Sequence, residues 1–373
     1  MEITKTINQY KLFTWFIYSF LKLILFLVRS INRFFAYKDG NIVVISLHKL
    51  GDTVFTIPTI KEIKKYYCNK KVIIVCYPEV VPIYKLEFPD SSFSTIEQNK
   101  FYFYNRIASS SARKILKSTR PEIIFDLTGV MTSATLIFNS RAKEIIGMSR
   151  EQFKTIYDHY SSIRRTPHLM DRYLDAVAVK IPNIDKGQIK EFKVRINREG
   201  KLIIHPFGGW KAKEWNLNKY IDLAIKLNEK YEVFLIAPEH GIAKEIINML
   251  MNEKINIIQT RTIDELIEQI RMCSVFIGND SGPLYIASLL GKPTFTLYGP
   301  TNSDFSGPIG GHHINISKTI KCSPQKNEQY CFTVGGQSGC PAFQCMNLLK
   351  FEEVLSNVLP FVQKYCTPKV DIV

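Results

Sequence analysis

Three short stretches hold residue types that do chemistry once a fold brings them together. Gly278-Asn279-Asp280-Ser281-Gly282-Pro283 sets small, turn-forming residues directly before an apolar helical segment. Backbone without side-chain bulk can approach a ligand closely, and the free N–H groups of the following helix point at whatever lies there. An anion, most simply a diphosphate, is the fitting occupant. Gly51-Asp52-Thr53 follows the buried run Ile42–Leu47; a carboxylate at the C-terminal end of a first parallel strand is exposed to a cleft. Lys211-Ala212-Lys213 follows the glycine-rich Pro206-Phe207-Gly208-Gly209 and offers a cation to a phosphate. Glu239, just past the apolar run Val233–Ala237, offers a further carboxylate. Each feature also has a plainer reading. Asp280, Ser281 or Asp52 can simply cap a helix, a lysine beside a turn is ordinarily solvated, and Glu239 can be a first-turn charge for a helix over Ile242–Leu250.

The elements that must position these residues are legible as apolar runs. Ser274–Gly278 and Thr294–Tyr298 read as buried strands, joined by a helix from about Pro283 to Leu290 that Gly291 and then Lys292-Pro293 close, giving one βαβ unit. Ile42–Leu47, Val72–Cys76, Ile123–Leu127 and a weaker Glu144–Gly147 supply earlier strands, with a helix between the first two that starts near Thr53. The stretch Ile181–Arg198 is charged and poor in strand signals, and the chain restarts with Leu202–His205, Val233–Ala237 and Ile255–Gln259. Periodicity alone therefore predicts an α/β chain of two halves.

Two of the three stretches carry more than local chemistry. Asp280-Ser281-Gly282-Pro283-Leu284-Tyr285, continuing through Lys292-Pro293 to Tyr298-Gly299-Pro300-Thr301, closely resembles the signature of the glycosyltransferase family 9 enzymes, the bacterial ADP-heptose:lipopolysaccharide heptosyltransferases. Leu50-Gly51-Asp52 with Thr56 and Pro58 resembles that family's N-terminal motif. The resemblance implies a GT-B architecture, with two Rossmann-like domains facing each other across a cleft. It implies residues 39–190 as the acceptor domain, 191–349 as the donor domain, and a last helix, about Phe351–Lys364, packing back on the first domain. It assigns Asp52 as the base, with Gly51 and Thr53 beside it on the acceptor side. Lys213, Glu239 and Asp280 through Tyr285 become the donor site, with Lys211 as the fallback lysine. The implied reaction moves a sugar, heptose from ADP-heptose, onto a lipopolysaccharide core or related glycolipid. One carboxylate deprotonating the acceptor permits a single displacement with inversion, and no Asp-x-Asp metal motif accompanies it. Tyr285 stands where the family usually has His, which predicts a donor site with less positive charge.

Composition bounds the rest. The chain has 373 residues, 46% of them hydrophobic, enough for full cores, and its formal charge of +15 favours anionic partners. Nucleic acid is excluded as the leading partner by the lack of basic-aromatic tracts, zinc-finger spacing or a helix-turn-helix signal. Cys322, Cys331, Cys340 and Cys345 have no CxxC pair, so thiols are expected there rather than zinc, and His159, His168 and Asp171 lack compact ligand spacing. No resident cofactor is expected. Leu12–Val28 is apolar and aromatic but carries Lys22 and is flanked by basic residues. Within residues 1–38 it predicts a helix lying in the inner leaflet of the cytoplasmic membrane, with Lys22 and Arg29 reaching back to its surface, the plainer alternative being a helix packed on the protein's own body. No small-x-small cleavage pattern follows, so a cytoplasmic, peripheral location is expected. A non-catalytic nucleotide-sugar-binding module and a nucleotide-sugar epimerase are the alternative classes; a base at Asp52 argues against the first and a membrane anchor against the second.

Overall fold

The computed structural model describes residues 19–369 except 21, 150, 163–167, 240, 332–339 and 341–342. Two six-stranded sheets organise it. The first contains β1 (Asn41–Ile45), β2 (Val72–Cys76), β3 (Ser92–Thr95), β4 (Pro121–Asp126), β5 (Glu144–Ser149) and β6 (His159–Ser162), in the order β3-β2-β1-β4-β5-β6. The second contains β7 (Lys201–His205), β8 (Val233–Pro238), β9 (Asn256–Thr260), β10 (Cys273–Asn279), β11 (Thr294–Tyr298) and β12 (His313–Ser317), in the order β9-β8-β7-β10-β11-β12. All pairings in both sheets are parallel. Parallel strands covered on both faces must be apolar throughout, and β1, β2, β4, β10 and β11 are almost wholly buried. The order is the same in each half, so the direction in which strands are added to the sheet reverses between β1 and β4 and again between β7 and β10. Loops at such switch points diverge and leave a crevice beyond the strand ends.

The halves share apolar packing. Buried residues of the Gly282–Leu289 helix, among them Leu284, Tyr285 and Ile286, belong to the same continuous core as Val54, Phe55 and Ile57 of the Leu50–Tyr66 helix. The two helices meet at their first turns, and both contacts require glycine. A Cβ on Gly51 would lie 2.9 Å from the Tyr285 ring, and one on Gly282 would lie 2.9 Å from Leu50 Cβ. Gly291, at φ +71°, closes the second helix as the sequence predicts.

The Phe351–Tyr365 helix buries Val354, Val358, Phe361 and Val362 in the core of the second half, where Phe361 and Phe295 rings stand 5.7 Å apart. The expected return to the first half is thereby corrected: the helix's apolar stripe is used up against its own sheet.

Much of the expected Leu12–Val28 helix lies outside the described residues; 22–34 are helical. Among the described residues no helix is long and apolar enough to cross a membrane. Arg29 does not reach toward lipid. It is buried, pairs with Asp158 at 2.5 Å and donates to the carbonyls of Ala142 and Lys143, so it fastens this helix to the first half.

Gly282→Ala should destabilise the protein by about 1–3 kcal/mol, the scale of overpacking a filled contact, lowering the urea midpoint. Gly209→Ala, where a Cβ would meet nothing within 4 Å, should leave that midpoint unchanged.

Candidate functional site

The Leu50–Tyr66 helix begins three residues earlier than expected. Lys49 is its N-cap and Asp52 lies in its first turn, its exposed carboxylate taking no part in capping. That removes the plain reading of Asp52 as a cap. Arg172 stands close enough to attract it, and Tyr330 is a second neighbour. Asp52 and Gly51 line a cavity of about 340 Å³ together with Lys213, Asp280, Ser281, Gly282 and Tyr285. The two stretches, more than two hundred residues apart, therefore face one space.

Asp280 is the centre of that wall. It is 3% exposed, and its carboxylate accepts hydrogen bonds from Lys213 Nζ at 2.7 Å, Thr301 Oγ1 at 2.7 Å and the Tyr285 hydroxyl. A buried carboxylate is tolerated only with such partners. Its role is thus to hold Lys213, not to touch an anionic ligand itself. Lys213 also lies over the Trp210 ring, 4.6 Å from its centroid, whereas Lys211 points to solvent and pairs with Glu214. Of the two candidate lysines, Lys213 is the one in the cavity.

Tyr285 is buried with its ring 4.7 Å from that of Phe55, and burial beside Asp280 pushes its phenol well above the ordinary range. Its proton is spent on Asp280. Tyr285 lines the cavity with its ring and reaches its charges through Asp280.

Ser281 is the N-cap of the Gly282–Leu289 helix but makes no side-chain cap bond; its hydroxyl lies 3.5 Å from His205 Nδ1. Because Pro283 has no N–H, the helix start offers the N–H groups of Gly282 and Leu284. The Leu284 side chain is fully buried in the core, so that residue can serve a ligand through its backbone alone. Thr53 is also fully buried, donating from Oγ1 to the Lys49 carbonyl, and it supports the loop instead of lining the cavity.

A second cavity of about 390 Å³ adjoins the first through Lys49, Gly51, Gly209, Ser281 and Gly282. Its other walls, including Phe207, Ile236, Ala237, Pro238 and Leu266, are mostly apolar. Glu239 stands one residue beyond, does not line either cavity, and pairs with Arg261 at 2.8 Å. It is not a first-turn charge either, because the next helix starts at Lys244.

His168 caps the Leu169–Ala178 helix, accepting from Met170 N–H at Nδ1, and its Nε2 donates to the Gly307 carbonyl of the other half. Burial lowers its pKa to about 4, and His205 is lowered likewise to about 4. Cys322, Cys331, Cys340 and Cys345 gather around one small cavity with Ala212 and Pro300, behind the turn that carries Lys213. Among the described residues no group of three or more His, Cys, Asp or Glu is arranged to hold a metal. Sequence reading missed Lys49, Thr301, Trp210, Tyr330 and His205. Thr301 could have been found, since it closes the Gly299-Pro300-Thr301 run that the resemblance already included.

Tyr285→Phe should cost about 1–3 kcal/mol of stability, because a buried charged acceptor loses its donor; chemical denaturation measures it. For His168 the unfolded ring binds a proton below about pH 6.5 and the folded ring only below about 4. Stability therefore falls as pH drops through that window. Between pH 7 and pH 5 the loss from this residue should be about 2 kcal/mol, and a His168→Gln variant should show a correspondingly shallower dependence. An unchanged slope would contradict the assignment.

Comparison with known proteins agrees with this arrangement. The family model described as Glycosyltransferase family 9 (heptosyltransferase) matches residues 110–333. Lipooligosaccharide heptosyltransferase 2 of Campylobacter jejuni is 24% identical over 325 residues, 82% of this chain and 93% of that protein. Among solved structures, E. coli ADP-heptose lps heptosyltransferase II is 17% identical, with a TM-score of 0.65 over 87% of this chain and 99% of its own. A family 9 glycosyl transferase from Veillonella parvula is 18% identical, with a TM-score of 0.67 over 88% and 99%. These structural likenesses show the shared fold, and with the family match they establish that this chain belongs to glycosyltransferase family 9 and is a glycosyltransferase.

Proposed function

We propose that the enzyme transfers heptose from ADP-heptose to a lipopolysaccharide or lipooligosaccharide core acceptor, with inversion and without a divalent cation, at the inner face of the cytoplasmic membrane. The observation that supports this reading is that Asp52, the Lys213–Asp280 pair and the start of the Gly282–Leu289 helix line one cavity. The names of the relatives supply the sugar and the acceptor class.

The donor lies across the two halves' facing switch-point loops, in the manner of a GT-B cleft. Its base fits the apolar second cavity, and its diphosphate lies at the shared boundary, against Ser281, Gly282 and Lys49. The ribose reaches Glu239 at the rim, displacing Arg261 from an exposed pair of the kind that contributes only about 0–1 kcal/mol. The sugar then lies in the first cavity beside Asp52. An acceptor hydroxyl oxygen attacks the anomeric carbon from the face opposite the diphosphate and gives its proton to Asp52. The anomeric carbon–oxygen bond breaks, and ADP leaves with the electron pair. Its growing charge is met by Lys213 and by the N–H groups and dipole of the helix start, groups already fixed before reaction. A dipole and a tethered lysine take the part a metal ion would otherwise play.

Asp52→Asn should slow transfer by about 10²–10⁴-fold with donor affinity nearly unchanged. Lys213→Ala should weaken ADP by about 1.5–3 kcal/mol and adenosine hardly at all, while Lys211→Ala should alter neither. Radiolabelled heptose transfer, calorimetric titration and a parallel assay in EDTA test this. More than half the activity surviving in Asp52→Asn would remove that residue from the mechanism, and loss of activity in EDTA would remove metal independence.

A further inference from the structure

A third cavity, of about 340 Å³, lies away from the candidate site, at the opposite ends of the strands. Its wall includes Pro121, the first residue of β4, whereas the candidate site lies beyond the strands' C-terminal ends. Arg113, Lys114, Lys117 and Arg141 all line it, and no Asp or Glu does. Four cations without a lining carboxylate leave an uncompensated positive space. Ser140, also in the lining, is 92% buried by complement of its 8% exposure, and its hydroxyl has no hydrogen-bond partner among the described residues. Four cations around one open cavity with no carboxylate in its lining is the chemistry of an anion site.

What borders the cavity chooses the anion. Asn32 and Tyr37 contribute to its wall, and the Arg141 guanidinium lies over the Phe35 ring. These residues belong to or directly follow the helix at 22–34, whose Ile24, Leu27, Ile31 and Phe34 recur at helical spacing and are all exposed. The opposite side is the fastened one, through Arg29 and Asn32. The helix thus turns its apolar stripe outward, and the cationic cavity opens beside its last turns, at Asn32, and the Tyr37 segment that follows it. An occupant that satisfies both has an anionic head and apolar tails.

We propose that this cavity binds the phosphate of an anionic membrane phospholipid while the exposed stripe enters the surrounding acyl chains. The proposal rests on the membrane-surface location given above and adds a specific headgroup site to it. A cation near an anionic surface strengthens binding by roughly fivefold, so three together should contribute on the order of a hundredfold.

The test uses the full chain and vesicles of phosphatidylcholine, with or without phosphatidylglycerol. Wild type should prefer the phosphatidylglycerol vesicles, and K114Q/K117Q/R141Q should lose that preference by about a hundredfold. K226Q/K230Q/K244Q removes the same charge from the second half and should keep it. Leu27→Ser with Ile31→Ser should weaken binding to both kinds of vesicle. A short-chain phosphatidylglycerol below its micelle concentration should bind wild type saturably and the cavity variant not at all. If the triple variant is less stable than wild type, Lys117→Gln alone carries the comparison at about fivefold. Equal loss in the two triple variants would reduce the effect to net charge and overturn the site, as would the lack of saturable short-chain binding. Saturable inorganic phosphate binding with no vesicle preference would make it a free-phosphate site instead. Wild type staying off both kinds of vesicle would overturn the membrane location along with it.

Discussion

A carboxylate at 3% exposure costs several kcal/mol unless its charge is matched, and Asp280 is matched from three directions. Lys213 comes from the turn after β7, Thr301 from the turn after β11, and Tyr285 from the helix that Asp280 itself precedes. Each partner is thereby fixed relative to the others. Tyr285 then carries the constraint across to the first half, because its ring fills the space over Gly51 and packs on Phe55. The placement of the helix turn that carries Asp52 against the Gly278–Pro283 turn follows from satisfying one buried charge. Asn279 does similar work beside it, accepting from the Tyr220 hydroxyl and the Trp215 amide while donating to the Pro206 carbonyl. Two consecutive polar side chains thus bind the turn on both sides, and rigidity there is what electrostatic stabilisation of a leaving group requires.

The buried strands were legible because parallel strands covered on both faces have to be apolar runs, and β1, β2, β4, β10 and β11 are such runs. The edge strands β3, β6 and β12 were not. They are short and half-exposed, and Ser92, His159 and His313 begin them, so neither a run nor a clean alternation marks them. Asp52, Lys213 and the Gly278–Pro283 turn, which the fold brings to one cavity, could be singled out because turn chemistry is local. Partnership across the fold is not local: nothing near Tyr285 in sequence reveals that its proton goes to Asp280, or that Leu284 turns its side chain away from the site. The start of the Leu50–Tyr66 helix was misplaced for a related reason. Lys49 serves as its cap without a side-chain bond, so no capping residue announced it. The Phe351–Tyr365 stripe correctly signalled packing, but a stripe does not name the surface that covers it.

The N-terminal helix illustrates how one residue type can reverse a reading. Among aromatics and beside Lys22, Arg29 looks like a charge reaching for a membrane surface. In the fold it is an internal tether, satisfied by Asp158 and two carbonyls of the first half. A tether on one side leaves the helix's orientation fixed, and the apolar side is then presented outward as a flat, pre-set surface. Ordering of that segment need not be bought on contact with a lipid layer.

The uniform direction of the strands has a further consequence. In a parallel sheet all chain ends of one kind lie on one edge, so a surface that meets the β4 N-terminal end is separated from the β1 and β4 C-terminal loops by the full height of the sheet. Six residues in β4 at about 3.3 Å each make that height about 20 Å. If the lower edge rests on a bilayer with the strands upright, the rim that carries the candidate site stands off from it by about this distance. The fold then works as a gauge: an acceptor rooted in the same bilayer is within reach only when its glycan already extends far enough to clear the sheet, and shorter glycans are excluded by height alone.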